Sequence, residues 1–186
     1  RGRHFVTYPT GNDDMINFVF CKREKSHLVN DWKEKVKTQQ FFKDFELNEC
    51  LRICLSNVKT IYRWPIIESG LPSEIHKKNV VLVGDAAHGM LPYLSQGANK
   101  ALEDSWELAE HIKAYPLDLN KSLKKYSEKR IKRIQRLDKF SRLNEKVYHL
   151  EQKILRAVFL FFLRCMISLG PRSFFKRLDW IYSYKG

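Results

Sequence analysis

Apolar and polar residues alternate over the first part of the chain. The alternation runs through residues 4–9 and again through residues 15–21, and turn-forming residues lie between them at 10–14. Alternation with a period of two around such a turn is typical of a β-hairpin. Pro9 cannot donate to a strand ladder, which favours a strand end or a sheet edge. Because two strands alone are marginally stable, we expect the partner strands upstream of residue 1.

The pattern of the next segment is mixed. Residues 31–57 are mostly helical in pattern, and residues 61–67 predict a third strand that ends near Trp64 and Pro65. The buried positions expected in the helical part are Trp32, Val36, Phe41, Phe42 and Phe45.

A continuous apolar run at residues 80–83 is closed by Gly84 and Asp85. Such runs suit a strand that is buried on both faces of a sheet. After a loop, residues 97–112 predict a helix. The apolar stripe expected on that helix consists of Ala98, Ala101, Leu102, Leu108, Ala109 and Ile112.

Pro116 marks a break, and two further helices are predicted at about 119–150 and 151–169. The apolar stretch 154–169 is interrupted by Arg156 and Arg164. Since a membrane-spanning helix needs ~20 apolar residues, this stretch predicts a buried or interfacial helix. The elements together predict an α/β (α+β) fragment with C-terminal helices.

Composition indicates a packed domain that carries a strong positive charge. The chain has 186 residues, of which 44% are hydrophobic, and its net charge is +13. Residues 121–146 hold eleven Lys or Arg against three acids. A solvated helix face is the simplest interpretation. Nucleic acid, an anionic membrane or an anionic small molecule are the alternatives that remain open.

The four cysteines, Cys21, Cys50, Cys54 and Cys165, show neither a disulfide framework nor a zinc pattern. Buried free thiols in a reducing compartment are expected, so the sequence predicts a cytoplasmic protein without a metal site. The first residues lead directly into the strand pattern, with no initiator Met and no signal peptide. This beginning is what a chain cut in its middle would show.

The stretch from Gly84 to Asp104 combines features that suit a bound ligand. Gly84 permits a tight turn after the strand, and the carboxylate of Asp85 can accept hydrogen bonds from ligand hydroxyl groups. The helix start at residues 96–99 exposes unpaired backbone N–H groups, which stabilise a negative oxygen. Small residues there allow a planar ligand to approach the backbone.

This stretch resembles the second flavin-binding motif of the aromatic hydroxylase flavoproteins, the p-hydroxybenzoate hydroxylase-like family. The positions in register with that motif are Gly84 to His88, Pro92, Gln96-Gly97 and Glu103-Asp104. Ser95 and Gly89 depart from it, since Gly or Ala and Pro are common there. Weaker resemblances to the salicylate hydroxylase-like branch are Tyr8-Pro9, Asn17 to Val19, Arg142 to Asn144, Tyr148-His149 and Asp179 to Tyr182.

The resemblance implies a two-domain FAD-binding fold of which this chain is the C-terminal portion. Residues 1–68 would end the substrate-binding β-sheet domain, residues 79–115 would end the FAD-binding domain, and residues 116–186 would form a helical region. The fingerprint Gly-x-Gly-x-x-Gly, which holds a pyrophosphate, does not occur in these 186 residues. We therefore expect the chain alone to lack an ADP site and to bind FAD weakly or not at all.

The resemblance also implies roles for individual residues. Asp85 would bind the ribityl hydroxyls of FAD, and the backbone at Gly97, Ala98 and Asn99 would face the pyrimidine O2. The backbone at Pro92 would lie between flavin and substrate, which makes it the one catalytic candidate. The full set of expected cofactor-binding residues is Gly84, Asp85, Ala86, Pro92, Gln96, Gly97, Ala98 and Asn99.

Purely structural interpretations of these polar residues stay open. Asp85 could be a simple turn acid or a helix cap. His88 could act in acid–base catalysis, although a structural role is the simpler expectation. Glu103 and Asp104 lie early in their helix, where acids are favourable in any case.

The activity implied by the resemblance is the hydroxylation of a phenolic or aromatic carboxylate, salicylate-like substrate. NADH or NADPH would reduce FAD, and a flavin C4a-hydroperoxide formed with O2 would oxygenate the ring. A reductase, an epoxidase or a halogenase of the same fold is the first alternative. A basic helical module that binds nucleic acid or membranes is the second. The partners expected are the aromatic substrate and O2, no nucleic acid, a homodimer and a weak peripheral membrane contact.

Overall fold

The computed structural model divides the chain into two compact units, residues 1–66 and residues 67–186. The residues that the structure describes are 3–11, 15–22, 34–37, 47–56, 58, 60–66, 70–150 and 152–186. The first unit contains short antiparallel sheets, and the second contains most of the helices. This division concerns structure alone, and the roles given above to residues 1–68, 79–115 and 116–186 stay predictions.

The predicted hairpin at the start of the chain is confirmed. Strand β1 (Arg3–Pro9) pairs antiparallel with β2 (Ile16–Lys22), with Phe5 opposite Phe20. The two rings stack at 4.6 Å between centroids. Cross-strand aromatic pairs of this kind stabilise a sheet, which explains the choice of β-formers in this segment.

The remainder of the first unit corrects two expectations. Strand β3 (Glu34–Val36) pairs antiparallel with β4 (Ile61–Arg63), and a short helix, α1 (Glu49–Ser56), lies between them in sequence. Val36 is therefore in a strand rather than a helix, because pairing between distant segments overrides a local pattern. Strand β4 ends at Arg63 because Pro65 cannot extend a ladder.

The expected burial of the aromatic residues in this segment concerns positions that the structure does not describe. Trp32, Phe41, Phe42 and Phe45 lie outside the described residues.

The second unit begins with a minimal hairpin. Strand β5 (His76–Lys77) pairs antiparallel with β6 (Val80–Val81). Val80 is 66% exposed and Val83 is 40% exposed. The prediction of a strand buried on both faces is therefore wrong for the described part of the chain. The physical reason is that β6 pairs there with β5 alone, so one strand edge and much of one face have no covering element.

Six helices follow in the described part of this unit. They are α2 (Asp85–His88), α3 (Gly97–Ala114), α4 (Leu119–Tyr148), α5 (Lys153–Leu169), α6 (Pro171–Lys176) and α7 (Asp179–Tyr182). The predicted helices agree with α3, α4 and α5 to within two residues, and Pro116 lies in the break between α3 and α4. Helix α3 packs along α4.

Two small apolar clusters form the core of the second unit, and α4 contributes to both. Tyr126 packs with Ile75 and Ala87 in the first cluster. Leu137 packs with Leu94 and Ile181 in the second. Helix α4 thus contributes to both clusters and contacts segments that lie before and after it in the chain.

The face of α3 that packs inward is polar, contrary to the prediction. Lys100, Asp104 and Glu107 are fully buried. Leu102, a member of the expected apolar stripe, is 69% exposed, and Ile112 is 41% exposed. The spacing of the buried residues, i, i+4 and i+7, defines one helix face. That face points inward because each of its charged groups finds a partner, as described below.

Helix α5 excludes one of the two alternatives predicted for it, a buried helix or an interfacial one. None of its residues is buried, and Phe161 and Leu169 are 64% and 88% exposed. The prediction of a buried helix is therefore wrong, while an interfacial role stays a prediction. Among the described residues, no helix is both long and apolar enough to cross a membrane.

The burial expected of the cysteines is not observed, whereas the basic run agrees with its simplest interpretation. All four cysteines are free, but none of them is fully buried, because Cys50 and Cys54 are exposed and Cys21 and Cys165 are half-buried. The described residues contain no group of His, Cys, Asp and Glu that could hold a metal. The basic run 121–146 is mostly a solvated face, with Arg130 and Arg133 as the exceptions.

Helix α4 begins with a side-chain cap whose removal should be measurable. The Asp118 carboxylate accepts a hydrogen bond of 2.9 Å from the Lys121 N–H. We expect Asp118→Ala to lower the free energy of unfolding by about 1 kcal/mol, whereas Asp118→Asn keeps an acceptor and stays near the parent. Urea denaturation followed by circular dichroism measures both, and equal losses in the two variants would contradict the cap.

Candidate functional site

The turn that ends the β5–β6 segment is built around Gly84. Its φ of 59° and ψ of −143° lie in a region that side-chain-bearing residues rarely adopt. A Cβ at this position would also lie 3.4 Å from the Ala101 Cβ, on the second turn of α3. The turn thus lies directly against α3, and it directs the chain from the hairpin into α2.

The expected cofactor residues of the turn lie at the start of α2. Asp85 is the first residue of this helix, and both Asp85 and Ala86 are exposed. The carboxylate of Asp85 makes no hydrogen bond to any residue that the structure describes, so it is available to an external donor.

The start of α3 supplies a second group of expected residues. Gln96 is buried, whereas Gly97, Ala98 and Asn99 are exposed. The first intrahelical bond of this end is the one that the Lys100 N–H donates to the Gln96 carbonyl, at 2.9 Å. The N–H groups before it therefore point out of the helix without an intrahelical acceptor. A Cβ built on Gly97 would meet no atom within 4 Å, so the space over the helix start is open.

The loop between α2 and α3 is held by the far half of α4. The Ser141 hydroxyl donates to the Leu91 carbonyl at 3.0 Å, and the Asn144 amide donates to the Tyr93 carbonyl at 3.2 Å. Pro92, between these two carbonyls, is exposed. Ser95 has a φ of 53°, a left-handed conformation that a glycine would adopt without strain.

Asp104 connects the turn to the interior. This fully buried carboxylate accepts hydrogen bonds from the Gly84 N–H at 2.7 Å and from the Arg130 Nε at 2.6 Å. The His88 Nε2 lies 2.6 Å from the same oxygen as the Gly84 N–H. Three donors on one buried carboxylate satisfy its charge and fix the turn against α3 and α4.

The neighbours of His88 determine its tautomer. The Lys100 amino group lies 3.2 Å from His88 Nδ1 and donates to the His88 carbonyl at 3.0 Å. An ammonium group only donates, so Nδ1 accepts and the ring proton is on Nε2, where it is donated to Asp104. Both ring nitrogens of the fully buried His88 are thereby hydrogen-bonded, which indicates a structural role for this residue.

The contacts around Asp104 form a network of buried charged groups. The guanidinium groups of α4 extend this network to the C-terminal segment. Arg130 Nη1 donates to Glu103 at 2.9 Å, and Arg133 Nη2 donates to the other oxygen of Glu103 at 2.8 Å. Arg133 also donates to the backbone carbonyls of Trp180 and Ile181. The acids Glu103 and Asp104 therefore tie α3 to α4 and, through Arg133, to α7.

A second buried acid, Glu107, repeats this arrangement one turn later. It accepts from the Tyr184 hydroxyl at 2.5 Å and from the Lys129 amino group at 2.9 Å. Burial, and after it the hydrogen bond to Glu107, raises the pKa of Tyr184 to about 12. The C-terminal segment is thus held to the same face of α3 as α4.

The network also shifts the ionisation of its members. Burial opposes the ionisation of Asp104, but the hydrogen bonds from His88 and Gly84 and the charge of Arg130 outweigh it, so the pKa of Asp104 is lowered. Burial lowers the pKa of Lys100, although Asp85 and Asp104 oppose this shift.

The structure brings the expected turn and helix start together in one unit, and their binding of a cofactor stays a prediction. The residues beneath them, above all Lys100, Arg130 and Arg133, were not predicted from the sequence pattern. A signal was available, because Asp104 and Arg130 lie equally far in sequence from residue 117, within the connection of α3 and α4. Residues equally distant from the turn of a helical hairpin face each other.

Comparison with known proteins shows a matching family and several similar proteins. Residues 1–141 match a family described as "FAD binding domain". A 3-amino-4-hydroxybenzoate 2-monooxygenase of Streptomyces platensis is 38% identical over 148 residues, which are 79% of this chain and 37% of that protein. A 3-hydroxybenzoate 6-hydroxylase of Polaromonas naphthalenivorans is 28% identical over 185 residues, 97% of this chain and 44% of that protein.

Solved structures show the same fold. A salicylate hydroxylase substrate complex matches with a TM-score of 0.75 and 22% identity, covering 99% of this chain and 45% of the other. A tetracycline destructase matches with a TM-score of 0.59 and 20% identity, covering 80% of this chain and 40% of the other. The expected fold class is thereby confirmed. The chain spans less than half the length of these relatives.

Relief of the strained loop residue is a first test of this geometry. Ser95→Gly removes the cost of a left-handed side-chain residue and should raise the free energy of unfolding by about 1 kcal/mol. Ser95→Ala keeps a Cβ and should bring no gain. Urea denaturation compares the three proteins, and a gain in Ser95→Ala as large as that in Ser95→Gly would refute the conformational explanation.

The depressed pKa of Asp104 predicts how stability depends on pH. A carboxyl whose pKa is lower in the folded chain stabilises it above the unfolded pKa of about 3.9, and this stability is lost as the pH falls through the folded pKa. We expect Asp104→Asn to lower the free energy of unfolding by about 3 kcal/mol or more at pH 7. Below about pH 4 the free energy of unfolding should fall less steeply with pH in this variant than in the parent.

The measurement is urea denaturation at a series of pH values between 2 and 8. Glu110→Gln, which changes an exposed acid on the same helix, is the control and should stay near the parental stability at pH 7. An Asp104→Asn variant with parental stability at pH 7 would show that the buried carboxylate does not hold the turn.

Proposed function

The chain belongs to the FAD binding domain family, and on that premise we propose that the whole protein hydroxylates an aromatic ring with FAD, NAD(P)H and O2. One observation carries the proposal. A glycine turn of positive φ, fixed by the buried Asp104, presents the exposed carboxylate of Asp85 beside a helix start with unpaired N–H groups.

The residues present fit the part of FAD that the sequence motif implies. Asp85 is exposed and can accept hydrogen bonds from the hydroxyls of a ribityl chain. Gly97, Ala98 and Asn99 begin an eighteen-residue helix, whose N-terminal dipole favours a negative oxygen. The open space over Gly97 leaves room for a planar ring at the backbone. We assign the flavin's ribityl and pyrimidine end to these two elements.

Each element would contribute differently to the reaction. Bound FAD would carry electrons from NAD(P)H to O2, and the overall reaction is ArH + O2 + NAD(P)H + H⁺ → ArOH + NAD(P)⁺ + H2O. Asp85 holds the cofactor chain, and the start of α3 stabilises negative charge on a cofactor oxygen. The loop backbone at Pro92 covers the reacting region and excludes water.

The substrate that we propose is a phenolic aromatic carboxylate. This class is supported by two relatives, whose names state that they act on an aminohydroxybenzoate and on a hydroxybenzoate. The net charge of +13 favours the approach of an anionic substrate.

The same proposal covers the electron donor, the oligomeric state and the cellular location of the whole protein. NADH or NADPH would be the electron donor, and the whole protein would work in the cytoplasm as a homodimer. Helix α5 carries exposed apolar side chains and three basic residues, Lys153, Arg156 and Arg164. This combination supports either a subunit contact or a weak peripheral contact with an anionic membrane.

Other reactions on this fold are separated from hydroxylation by their products. A reductase, an epoxidase or a halogenase would consume NAD(P)H without forming a phenol from an aromatic acid. A colourless, folded protein that takes up no FAD and binds DNA with a steep salt dependence would instead favour the basic helical module.

The first experiment is the visible spectrum of the protein in its full natural length. Bands near ~375 and ~450 nm are expected from an oxidised flavin. Product analysis with a panel of hydroxybenzoates then shows whether the phenol formed accounts for the NAD(P)H consumed. We expect the 186-residue chain by itself to take up little or no FAD.

A matched pair of variants tests the role of Asp85. Asp85 and Asp179 are both exposed acids that begin a four-residue helix, and only Asp85 lies at the proposed cofactor site. In the full-length protein, Asp85→Ala should weaken FAD binding about tenfold or more, because hydrogen bonds to a charged group are lost. Asp179→Ala should bind FAD like the parent. Quenching of flavin fluorescence measures both, and equal affinities would remove Asp85 from the site.

A further inference from the structure

The loop from Gly89 to Gln96 is attached to α4 by two side chains that act on its backbone. Ser141 donates to the Leu91 carbonyl at 3.0 Å, and Asn144 donates to the Tyr93 carbonyl at 3.2 Å. These carbonyls lie immediately before and after Pro92. The two donors are three residues apart on α4, so they share one face of the helix.

The contacts of Ser141 are not those that a helical serine makes by default. A serine inside a helix commonly returns its hydroxyl to the carbonyl four residues earlier, as Ser105 does with Ala101 at 3.0 Å. Ser141 is fully buried and reaches instead a carbonyl fifty residues earlier in the chain. Its hydroxyl therefore binds the loop at the expense of a local bond.

Further contacts make this attachment rigid. Leu94 is buried against Leu137 and Ile181. The ring of Tyr93 lies 6.0 Å from the ring of Tyr148 and 5.8 Å from that of His149. Within the loop, the Ser95 N–H donates to the Pro92 carbonyl at 3.3 Å. The inner side of the loop is thus bound to α4, while Pro92 is left exposed on the outer side.

We propose that Ser141 and Asn144 are positioning residues that fix the backbone on both sides of Pro92 and thereby hold the aromatic ring at its reacting distance from the cofactor. This inference rests on the proposed function, in which the loop lies between flavin and substrate. Neither residue touches the reacting atoms. They act through the Leu91 and Tyr93 carbonyls, whose displacement would move Pro92 and admit water.

A displaced loop has a specific chemical consequence. When the ring is misplaced, O2 is still reduced by the two electrons of the donor, but it leaves as hydrogen peroxide: NAD(P)H + H⁺ + O2 → NAD(P)⁺ + H2O2. The ratio of phenol formed to NAD(P)H consumed therefore reports on the position of the loop, and a general loss of folded protein does not change that ratio.

The experiment uses the full-length flavoprotein and a double variant, Ser141→Ala with Asn144→Ala. We expect the ratio of phenol to NAD(P)H to fall about two- to tenfold, the range for the loss of buried hydrogen bonds, with peroxide accounting for the difference. Amide hydrogen exchange of residues 89–96 should become faster, and the affinity for FAD should stay near that of the parent.

Ser127→Ala is the matched control on the same helix. Ser127 is also buried, but its hydroxyl accepts from the Ile75 N–H at 3.3 Å, outside the loop. This variant should keep the parental ratio and the parental exchange of residues 89–96. Ser141→Thr, combined with the native Asn144, restores a hydroxyl donor and should also keep the ratio.

The possible results separate the inference from the function on which it rests. A parent that binds no FAD, or that forms no phenol, refutes the proposed function. A parent that forms phenol, together with a double variant of unchanged ratio or unchanged exchange, refutes the inference alone. An equal fall of the ratio in Ser127→Ala would reduce both serines to general support of the fold, and would overturn the positioning role.

Discussion

The buried carboxylate of Asp104 is the interaction on which the rest of the second unit depends. It receives the Gly84 N–H, the His88 ring and the Arg130 guanidinium, so one side chain joins the turn, α2 and α4 to α3. A buried charge of this kind is costly unless every donor is in place. The arrangement therefore ties the geometry of the turn to the packing of the two long helices, and the exposed Asp85 follows directly on a turn that buried groups hold in place.

Helix α4 serves as the common support of all segments around the proposed cofactor site. Its first half provides Arg130 to the Asp104 carboxylate, its middle provides Leu137 to a core cluster, and its far half provides Ser141 and Asn144 to the loop. A helix of thirty residues is a rigid element of about 45 Å. The turn and the loop, which both belong to one motif, are thus held in register by a single element that contributes no atom to the motif itself.

The different roles of exposed and buried groups are also consistent with the proposed chemistry. The groups expected to meet the cofactor, Asp85 and the residues 97–99, are exposed and make few bonds within the protein. The groups that position them are buried and satisfied. Binding then requires little reorganisation of the protein, which is the condition under which hydrogen bonds and dipoles stabilise charge effectively. Ser95 is the exception, since its left-handed backbone stores strain at the edge of the loop.

The sequence by itself determined the local elements and the family. The hairpin at residues 3–22 and the long helices follow from periodicity and turn chemistry, which are properties of neighbouring residues. The motif from Gly84 to Asp104 was found by its resemblance to a known family. Only the tertiary structure decided that α3 turns its polar face inward. Lys100 can be buried only where it meets His88, and Asp104 and Glu107 only where Arg130, Lys129 and Tyr184 meet them from distant segments. The same reason applies to Val36, whose strand exists through its pairing with residues 61–63, and to Ser141 and Asn144, whose partners lie fifty residues away. Local patterns cannot show which charges and carbonyls a fold will bring together, since that depends on contacts between segments far apart in the chain.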